Sequence, residues 1–290
     1  MERSWLLVPA DSEKKLGLAL GTGADVLVLD LANVALEAKD LARTQAADWL
    51  KLHRQQVVQR KVAFWVRINP LDSRAWRDDL LAVLPAGPEG IMLPKATGPE
   101  AVQQLGAELY ELEQSCGVTN GSTRIMPVLG GTARGALQFA AIAEMSSPRL
   151  SGLAWNPEEL AAAIGATRTR DGQTWTAAFA FVRAQTLLTA HARAIPAIDT
   201  QHPDFSDLKA FKAIARASRA DGFTGMLAIH PAQVPIINEA FAPSEAELEE
   251  ARAVIGAFEG GTSGGALRID RRMVDRTVLE QARRVLGMPV

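Results

Sequence analysis

Residues 27–36 read LVLDLANVAL, and this short stretch decides which fold the chain is expected to adopt. A run of Val and Leu with an acid near its end is typical of a strand that is buried on both faces, as in a parallel sheet. In parallel α/β folds the chemistry takes place at the carboxyl ends of the strands. Asp30 stands at that end here, and the uncharged residues Ala32 and Asn33 follow it. The segment therefore brings one carboxylate to the expected site.

Seven further runs rich in apolar residues alternate along the chain with Ala- and Leu-rich segments of helical spacing. Eight such alternations predict a (β/α)8 TIM barrel of the α/β class, for which about 250 residues is the usual size. A doubly wound open sheet is the alternative, but no GxGxxG or GxxxxGK[ST] motif follows any of the strands. The predicted strands are Trp5–Pro9, Asp25–Leu31, Val62–Asn69, Gly90–Lys95, Arg124–Leu129, Ser151–Trp155, Ile195–Asp199 and Met226–His230. The predicted helices include Glu37–Lys51, Pro99–Glu113, Ala133–Ala143, Glu158–Ile164, Ala177–His191 and Asp207–Arg219.

Two regions are expected: the barrel over residues 1–240 and a C-terminal helical extension over residues 241–290. Helical spacing continues after the last predicted strand until EGGTSGG, where four glycines between residues 260 and 265 indicate a flexible hinge. A short strand-like piece and a basic amphipathic helix follow. Because amphipathic helices bury their apolar face, we expect this helix to pack on the barrel or on a neighbouring subunit.

The composition narrows the classes of partner. The chain has 31 basic and 33 acidic residues, a formal charge of -2, so its overall charge favours neither a nucleic acid nor an anionic membrane as partner. Cys116 is the one cysteine, which excludes an internal disulfide and fits a reducing compartment. No window of about 18 apolar residues predicts a membrane span, and the start of the chain does not resemble a signal peptide. We expect a cytoplasmic protein.

Polar side chains accumulate where the predicted strands end, which in a barrel is a single mouth. Asp and Asn at such junctions are ordinarily helix caps or turn residues. Arg67 and Lys95 differ, because a cation at the start of a helix is opposed by the helix dipole. Together they predict a positive site for a carboxylate or a carbonyl oxygen. The polar residues expected at this mouth are Asp30, Asn33, Arg67, Asn69, Lys95, Asn156, Glu158, Glu159, Asp199 and His230.

Several longer segments carry a resemblance to a known family. They are RSWLLVPADSEKKLGLALGTGADVLVLDL at the start, VRINPLDS at 66–73, GIMLPKA at 90–96, RLSGLAWNPEELAAAIGA at 149–166, AIDT at 197–200, DGFTGMLAIHPAQVPIINEAFAPS at 221–244 and MVDRTVLEQARRVL at 273–286. In order, and over essentially the whole chain, they resemble the citrate lyase beta-subunit group of the HpcH/HpaI aldolase superfamily, which includes malyl-CoA and citramalyl-CoA lyases. The resemblance implies a (β/α)8 barrel, acyl-CoA thioesters as substrates, Mg²⁺ as cofactor and a homo-oligomer, with a trimer favoured.

The resemblance also implies where the metal site would lie. In the family a Glu at the end of the fifth strand and an Asp after the sixth hold Mg²⁺, which prefers hard oxygen ligands. These two positions are Gly131 and Glu159 in this chain. The second strand of the family normally ends DLED, and its last two acids fall on Ala32 and Asn33. Glu159 and the adjacent Glu158 are the metal ligands that remain, so we expect Mg²⁺ affinity to be reduced.

Three functions stay open. The first is an active carbon–carbon lyase, or a thioesterase, acting on CoA thioesters of small hydroxy or oxo acids with a metal site rebuilt from Glu158, Glu159 and Asp30. The second is a non-catalytic homologue that binds an acyl-CoA or a 2-oxo acid as a sensor, subunit or scaffold. The third is metal-free chemistry in which Arg67 and Lys95 stabilise the developing negative charge.

The candidate catalytic and substrate-binding residues follow from these three functional hypotheses. His230 precedes a proline at a strand end and is expected to be a structural hydrogen-bonding residue. Asp275 matches an acid that reaches a neighbouring subunit's active site in some members of the family. The predicted catalytic residues are Arg67, Lys95 and Asp275, and the predicted substrate-binding residues are Arg67, Asp30, Asn33 and Asn156.

Overall fold

The computed structural model describes residues 2–60, 62–172, 174–260, 266–269 and 272–288. The chain divides into two compact units, Met1–Phe241 and Ala242–Val290. Of the predicted hinge at 260–265, only Gly260 falls within the described residues, as the last residue of a helix. Within the described part of the chain, no helix is both long enough and apolar enough to cross a membrane.

The first unit is a closed barrel of eight parallel strands, which confirms the predicted α/β TIM barrel. Each barrel strand pairs with the next barrel strand in the sequence, and the last pairs with the first. Short runs of Val, Ile and Leu suit such strands because helices cover the outer face while side chains fill the inside. The strands within the described residues are β1 (Ser4–Pro9), β2 (Val26–Asp30), β3 (Ala63–Arg67), β4 (Gly90–Leu93), β5 (Arg124–Leu129), β6 (Leu153–Trp155), β7 (Arg170–Asp171), β8 (Thr174–Trp175), β9 (Ala197–Asp199), β10 (Gly225–Ala228), β11 (Ala266–Ile269) and β12 (Arg272–Asp275).

Helices follow the barrel strands, as a parallel sheet requires. Their starts are often marked by capping side chains, such as Ser12 before α1 and Asp207 before α9. The helices are α1 (Glu13–Ala19), α2 (Lys39–Arg60), α3 (Trp76–Val83), α4 (Pro99–Cys116), α5 (Ala133–Ala136), α6 (Phe139–Glu144), α7 (Pro157–Ile164), α8 (Ala177–Ala192), α9 (Leu208–Ala220), α10 (Gln233–Ala240), α11 (Glu245–Gly260) and α12 (Arg276–Val285).

Two apolar layers hold the barrel together. Alternate residues of each strand point to opposite faces, so one set packs against the helices and the other fills the inside. The inner set includes Trp5 and Trp65, whose rings meet edge to face with centroids 5.1 Å apart. A side chain at Gly90 would collide with the Trp65 ring, so the glycine makes room for the indole.

Three segments differ from their predicted structure. The single helix predicted over Ala133–Ala143 is wrong, because it breaks into α5 and α6 around Leu137 and Gln138. The break leaves Leu137 76% exposed and turns the chain so that Phe139 is buried. The connection between α7 and α8, where no strand was predicted, contains the paired strands β7 and β8, and the strand-like piece predicted after the glycines is two antiparallel strands, β11 and β12.

The second unit has a small apolar core of its own. Ala251 and Val254 of α11 cluster with Val274 of β12 and Ala282 of α12. The basic helix α12 therefore buries its apolar face within this unit, against α11. Asp275 is the N-cap of α12, and its carboxylate accepts a hydrogen bond from the backbone N–H of Val278 at 3.1 Å.

Candidate functional site

A buried ion pair joins the carboxyl ends of β2 and β3. The register of the two strands places Asp30 opposite Arg67. Arg67 donates from Nε to Asp30 Oδ1 at 2.8 Å and from Nη2 to Oδ2 at 2.5 Å. Asp30 Oδ1 also accepts from the backbone N–H groups of Ala32 and Asn33, at 3.0 and 3.3 Å. Both oxygens of the only acid of LVLDLANVAL are therefore used to fix Arg67 and the turn after β2.

The ion pair decides the charge of Arg67. Burial by itself disfavours the charged guanidinium, but the facing Asp30 carboxylate outweighs it and raises the pKa of Arg67 above its usual value. Arg67 is 5% exposed and Asp30 is 4% exposed, so the pair is shielded from water. The arginine is thus a permanent cation of fixed orientation beneath the mouth.

Lys39 fastens the loop after β2 to the loop after β3. Its Nζ donates to the carbonyl of Leu31 at 3.0 Å and to Asn69 Oδ1 at 2.8 Å. The Asn69 amide in turn donates to Asp79 Oδ2 at 2.7 Å. Burial lowers the pKa of Lys39. Asn69, which the sequence places at the mouth, is therefore a structural residue, and Lys39 had no sequence pattern that would have pointed to this role.

Lys95 follows β4 in an unusual backbone conformation. Its φ is +50°, in the left-handed region that residues other than glycine rarely occupy. The side chain is exposed, and among the described residues it makes no hydrogen bond or ion pair. Strained positions of this kind concentrate at functional sites. Lys95 is thus an exposed cation at this mouth that a ligand can reach without displacing a protein partner.

The helix α7 starts directly after β6 and brings two acids to the mouth. Asn156 is its N-cap, and its Oδ1 accepts from the backbone N–H groups of Glu158 at 3.1 Å and Glu159 at 3.3 Å. Glu158 is exposed, whereas Glu159 is half-buried. Asn156 Oδ1 therefore caps the helix, and the predicted role of Asn156 in substrate binding stays a prediction.

Glu159 fills the space next to Gly131. A Cβ on residue 131 would collide with Glu159 Oε2 and would lie 3.3 Å from Glu159 Cβ. Oε2 is buried and has no hydrogen-bond partner within the described residues. Burial raises the pKa of the Glu159 carboxyl, although the charges of Arg67 and Lys95 act in the opposite direction. The carboxylate thus occupies the place of a side chain at position 131.

The carboxylates do not assemble a metal site. Within the described residues there is no group of three or more His, Cys, Asp or Glu side chains placed to hold a metal ion. The site predicted from Glu158, Glu159 and Asp30 is not preassembled among these residues, since Asp30 is bound to Arg67 and Glu158 is exposed, and it stays a prediction. Mg²⁺ requires several hard oxygen ligands. A single Glu159 carboxylate beside two cations does not fit that ion.

Two other residues expected at the mouth have structural partners. Asp199 accepts from Trp155 Nε1 at 2.7 Å, from Arg183 Nη2 at 2.8 Å and from the Ser218 hydroxyl. His230 accepts a hydrogen bond at Nδ1 from a backbone N–H at 3.2 Å. Its ring also stacks on the ring of Phe205, with centroids 4.7 Å apart. Both residues hold loops of the mouth in position.

The hairpin β7–β8 is attached to the carboxyl end of β6. The Arg170 guanidinium lies 3.5 Å from the centroid of the Trp175 ring, and Trp175 meets Trp155 edge to face at 5.0 Å. The Asp171-Gly172 step is the sequence signal that could have predicted this hairpin, since Gly172 adopts a φ of +59°. Asn33 has an exposed side chain next to Asp30, and Asp275 lies in the second unit, so their predicted roles stay predictions.

A closed barrel of parallel strands with charged residues at the carboxyl ends places this chain among the α/β-barrel proteins. A profile described as HpcH/HpaI aldolase/citrate lyase matches residues 3–231. This chain belongs to that family, which confirms the resemblance of its segments.

Relatives and solved structures agree with this assignment. The chain is 30% identical to citrate lyase subunit beta of Escherichia coli strain K12 over 288 residues, which cover 98% of this chain and 92% of the relative. It is also 30% identical to mitochondrial citramalyl-CoA lyase of Rattus norvegicus, covering 99% of this chain and 85% of that protein. The structure of CitE from Mycobacterium tuberculosis in complex with magnesium, acetoacetate and coenzyme A has a TM-score of 0.78 and 30% identity, covering 98% of this chain and 97% of that one.

Proposed function

We propose that this protein binds the CoA thioester of a small hydroxy or oxo acid, or the free acid, at the mouth of its barrel as a carbon–carbon lyase-like protein. The observation that supports this is the pair of cations at the ends of two neighbouring strands. Arg67 ends β3, and Lys95 follows the adjacent strand β4. A carboxylate or a thioester carbonyl is the kind of group that such a pair binds.

Arg67 can contact a ligand while it stays paired. A guanidinium has five N–H donors, and the two hydrogen bonds to Asp30 use one on Nε and one on Nη2. The remaining donors, including both on Nη1, have no partner in the described part of the chain. Asp30 therefore orients Arg67 without using all of its N–H donors. Preorganised donors of this kind bind an anion without first having to be reoriented.

Arg67 and Lys95 can also stabilise the negative charge that develops on the substrate during carbon–carbon bond cleavage. Retro-aldol cleavage of a hydroxyacyl thioester breaks the carbon–carbon bond as the hydroxyl loses its proton to water and its carbon becomes a carbonyl, and the electron pair of the broken bond leaves negative charge on a thioester enolate. Lys95 and Arg67 would donate hydrogen bonds to that oxygen, as preorganised donors do in other enzymes. The CitE structure is named with magnesium. In this chain no step is assigned to the ion, because the described carboxylates do not fit it.

The second candidate is a non-catalytic homologue that binds an acyl-CoA or a 2-oxo acid as a sensor, subunit or scaffold. It is favoured by one observation: the carboxylates at the mouth do not form a metal-binding group within the described residues, since Asp30 is fixed by Arg67, Asp199 is fixed by Arg183 and Trp155, and Glu158 is exposed. Such a protein would keep the anion site and lose turnover. The two candidates therefore agree on binding and differ on catalysis.

Calorimetric titration and turnover assays separate these candidates. Acetyl-CoA, malyl-CoA, citramalyl-CoA, pyruvate, glyoxylate and oxaloacetate would each be titrated into the wild type and into Lys95→Ala. Binding that weakens at least about 10-fold in the variant would support the proposed site. Turnover of malyl-CoA or citramalyl-CoA would favour the lyase and remove the non-catalytic candidate. If none of the ligands bound, the proposed function would be abandoned.

We further propose a cytoplasmic homo-oligomer, with a trimer favoured, in which Asp275 reaches the mouth of a neighbouring subunit. The family resemblance supports this assembly. Light scattering after size-exclusion chromatography would measure the number of subunits. Asp275→Asn should lower turnover without changing that number, and a monomer with full activity would contradict the proposal.

A further inference from the structure

The contact between Gly131 and Glu159 determines what the mouth can offer to a ligand. The backbone of Gly131 does not have the left-handed φ that favours glycine. What excludes a side chain there is the Glu159 carboxylate. Position 131 is thus small because position 159 is long, and the two residues form one packing unit, which we call the 131/159 pair.

The pair also restricts the carboxylate itself. Glu159 Oε2 lies where the Cβ of a side chain at position 131 would be, and it is buried away from solvent. At most the other oxygen of Glu159 can meet a ligand. Asp30 already accepts hydrogen bonds at both oxygens, from Arg67 and from two backbone N–H groups. Besides the exposed Glu158, a divalent cation at this mouth would therefore meet one accessible oxygen of Glu159, together with the cationic side chains of Arg67 and Lys95.

We propose that the 131/159 pair makes ligand binding at this mouth independent of a metal ion, and that the mouth therefore does not select for a 2-oxo acid. A bound metal selects 2-oxo acids because the carboxylate and the adjacent oxo oxygen chelate it together. Lys95 and Arg67 instead bind a carboxylate or a carbonyl directly, so the neighbouring oxo group adds no chelation. The ligand class is a small carboxylic acid or its thioester, recognised by charge. This inference rests on the proposed function.

Three matched acids test whether ligand binding is independent of a metal ion and of an oxo group. Pyruvate, lactate and propionate have the same carbon skeleton and carry an oxo group, a hydroxyl or neither. Each would be titrated calorimetrically into the full-length protein in the presence of EDTA and again with Mg²⁺. We expect the dissociation constants of the three acids to agree within about 5-fold and to be unchanged by EDTA or Mg²⁺. A preference of more than about 10-fold for pyruvate that appears with Mg²⁺ and disappears with EDTA would overturn the inference.

The test distinguishes this inference from the proposed function. If no acid and no CoA thioester binds under either condition, the proposed function fails, and this inference fails with it. If the ligands bind but require Mg²⁺, the proposed function survives and only the inference fails. Binding that is indifferent to Mg²⁺ supports both.

Substitutions at positions 131 and 159 test whether the 131/159 pair is what limits metal affinity. Gly131→Glu with Glu159→Asp shortens one side chain and places a carboxylate at the other position, so two carboxylates can face the mouth. We expect the double variant to bind Mg²⁺ or Mn²⁺ at least about 10-fold more tightly than the wild type. Each single variant should gain less affinity than the double variant, because Glu159→Asp alone adds no carboxylate and Gly131→Glu alone must first displace Glu159. Glu144→Asp, the same change at an exposed position of α6, is the matched control.

Folding of the variants is checked independently. Circular dichroism and thermal unfolding show whether each variant is folded before its metal affinity is interpreted. If the double variant does not fold, Gly131→Ala replaces it, since the added methyl has only to displace the flexible end of Glu159. That displacement should free Oε2 and raise Mn²⁺ affinity measurably above the wild type. A folded double variant without any gain in affinity would overturn the role of the pair.

Discussion

Asp30 and Arg67 face each other across two neighbouring strands and share two hydrogen bonds, of 2.8 and 2.5 Å, beneath the mouth of the barrel. The pair gives the single acid of LVLDLANVAL a structural role at the end of β2. Its carboxylate orients the arginine that the ligand is proposed to meet. The stability of the barrel and the geometry of the site therefore depend on the same contact.

Breaking this pair should destabilise the protein strongly. Arg67→Met leaves Asp30 buried with only two backbone donors, and loss of one partner of a buried ion pair typically costs about 3–5 kcal/mol. Urea unfolding followed by circular dichroism measures the loss. Adding Asp30→Asn to Arg67→Met should recover part of it, because the carboxylate no longer has to be buried without its partner. A cost below about 1 kcal/mol for Arg67→Met would contradict the role of the pair.

Lys95 should lower the free energy of unfolding of the protein while it strengthens the binding of the ligand. Its left-handed backbone costs a residue with a side chain about 1–2 kcal/mol, and glycine does not incur this cost. Lys95→Gly should therefore raise the free energy of unfolding by about 1 kcal/mol while weakening the binding of acids and CoA thioesters. Lys95→Asn is the matched control, since asparagine tolerates this conformation but has no charge. A Lys95→Gly variant that binds these ligands as the wild type does would contradict the proposed site.

Glu113 should make stability depend on acid pH. Burial alone would raise its pKa, but two hydrogen bonds from Arg149, at 2.8 and 2.6 Å, and the backbone N–H groups of Gly121 and Thr123 lower the pKa from 4.5 to about 2. Since the folded pKa lies below the unfolded one, the stabilisation is complete above about pH 4.5 and is lost as the pH falls toward 2. Its size is on the order of 3 kcal/mol.

Unfolding free energies measured between pH 2 and 5 test this prediction. Glu113→Gln removes the titrating group, so the variant should lose less stability than the wild type over this range. The exposed ion pair of Arg77 and Glu108 gives a control, because Glu108→Gln should leave the slope unchanged. Equal slopes in Glu113→Gln and the wild type would show that the Arg149 contact does not control the acid dependence.

The hairpin β7–β8 should depend on its tryptophan. Trp175 contacts both the Arg170 guanidinium and the Trp155 ring, so Trp175→Ala removes two side-chain contacts of the hairpin. We expect trypsin to cleave the variant after Arg168 or Arg170 at least about 10-fold faster than the wild type, because local opening precedes cleavage. Trp175→Phe keeps a ring and should stay close to the wild type. Equal cleavage rates for Trp175→Ala and the wild type would contradict the role of the stacking.

Much of the fold could be predicted because the signal is local. Short apolar runs and the helical spacing between them gave all eight barrel strands, and the polar strand ends identified Arg67 and Lys95. The break between α5 and α6 could not be predicted in this way, since it depends on how Phe139 packs in the core. The hairpin was predictable in principle from its Asp-Gly step.

The site was less predictable because its decisive contacts join distant parts of the chain. The bond between Asp30 and Arg67 depends on strand register, which the sequence does not reveal. The fit of Glu159 against Gly131 joins the loops after β5 and β6. Each of these residues could be named from the sequence, but the partner that limits what it can bind could not.

A crystal structure of the wild type with pyruvate or a CoA thioester, grown with Mg²⁺ in the buffer, tests the central claim most directly. The account predicts that the carboxylate or carbonyl of the ligand contacts Lys95 Nζ and the Arg67 guanidinium while Asp30 still holds Arg67. It also predicts no magnesium ion bound by two protein carboxylates at the mouth. An ordered Mg²⁺ held by two side chains, with the ligand bound to the ion instead of to Lys95 and Arg67, would contradict it.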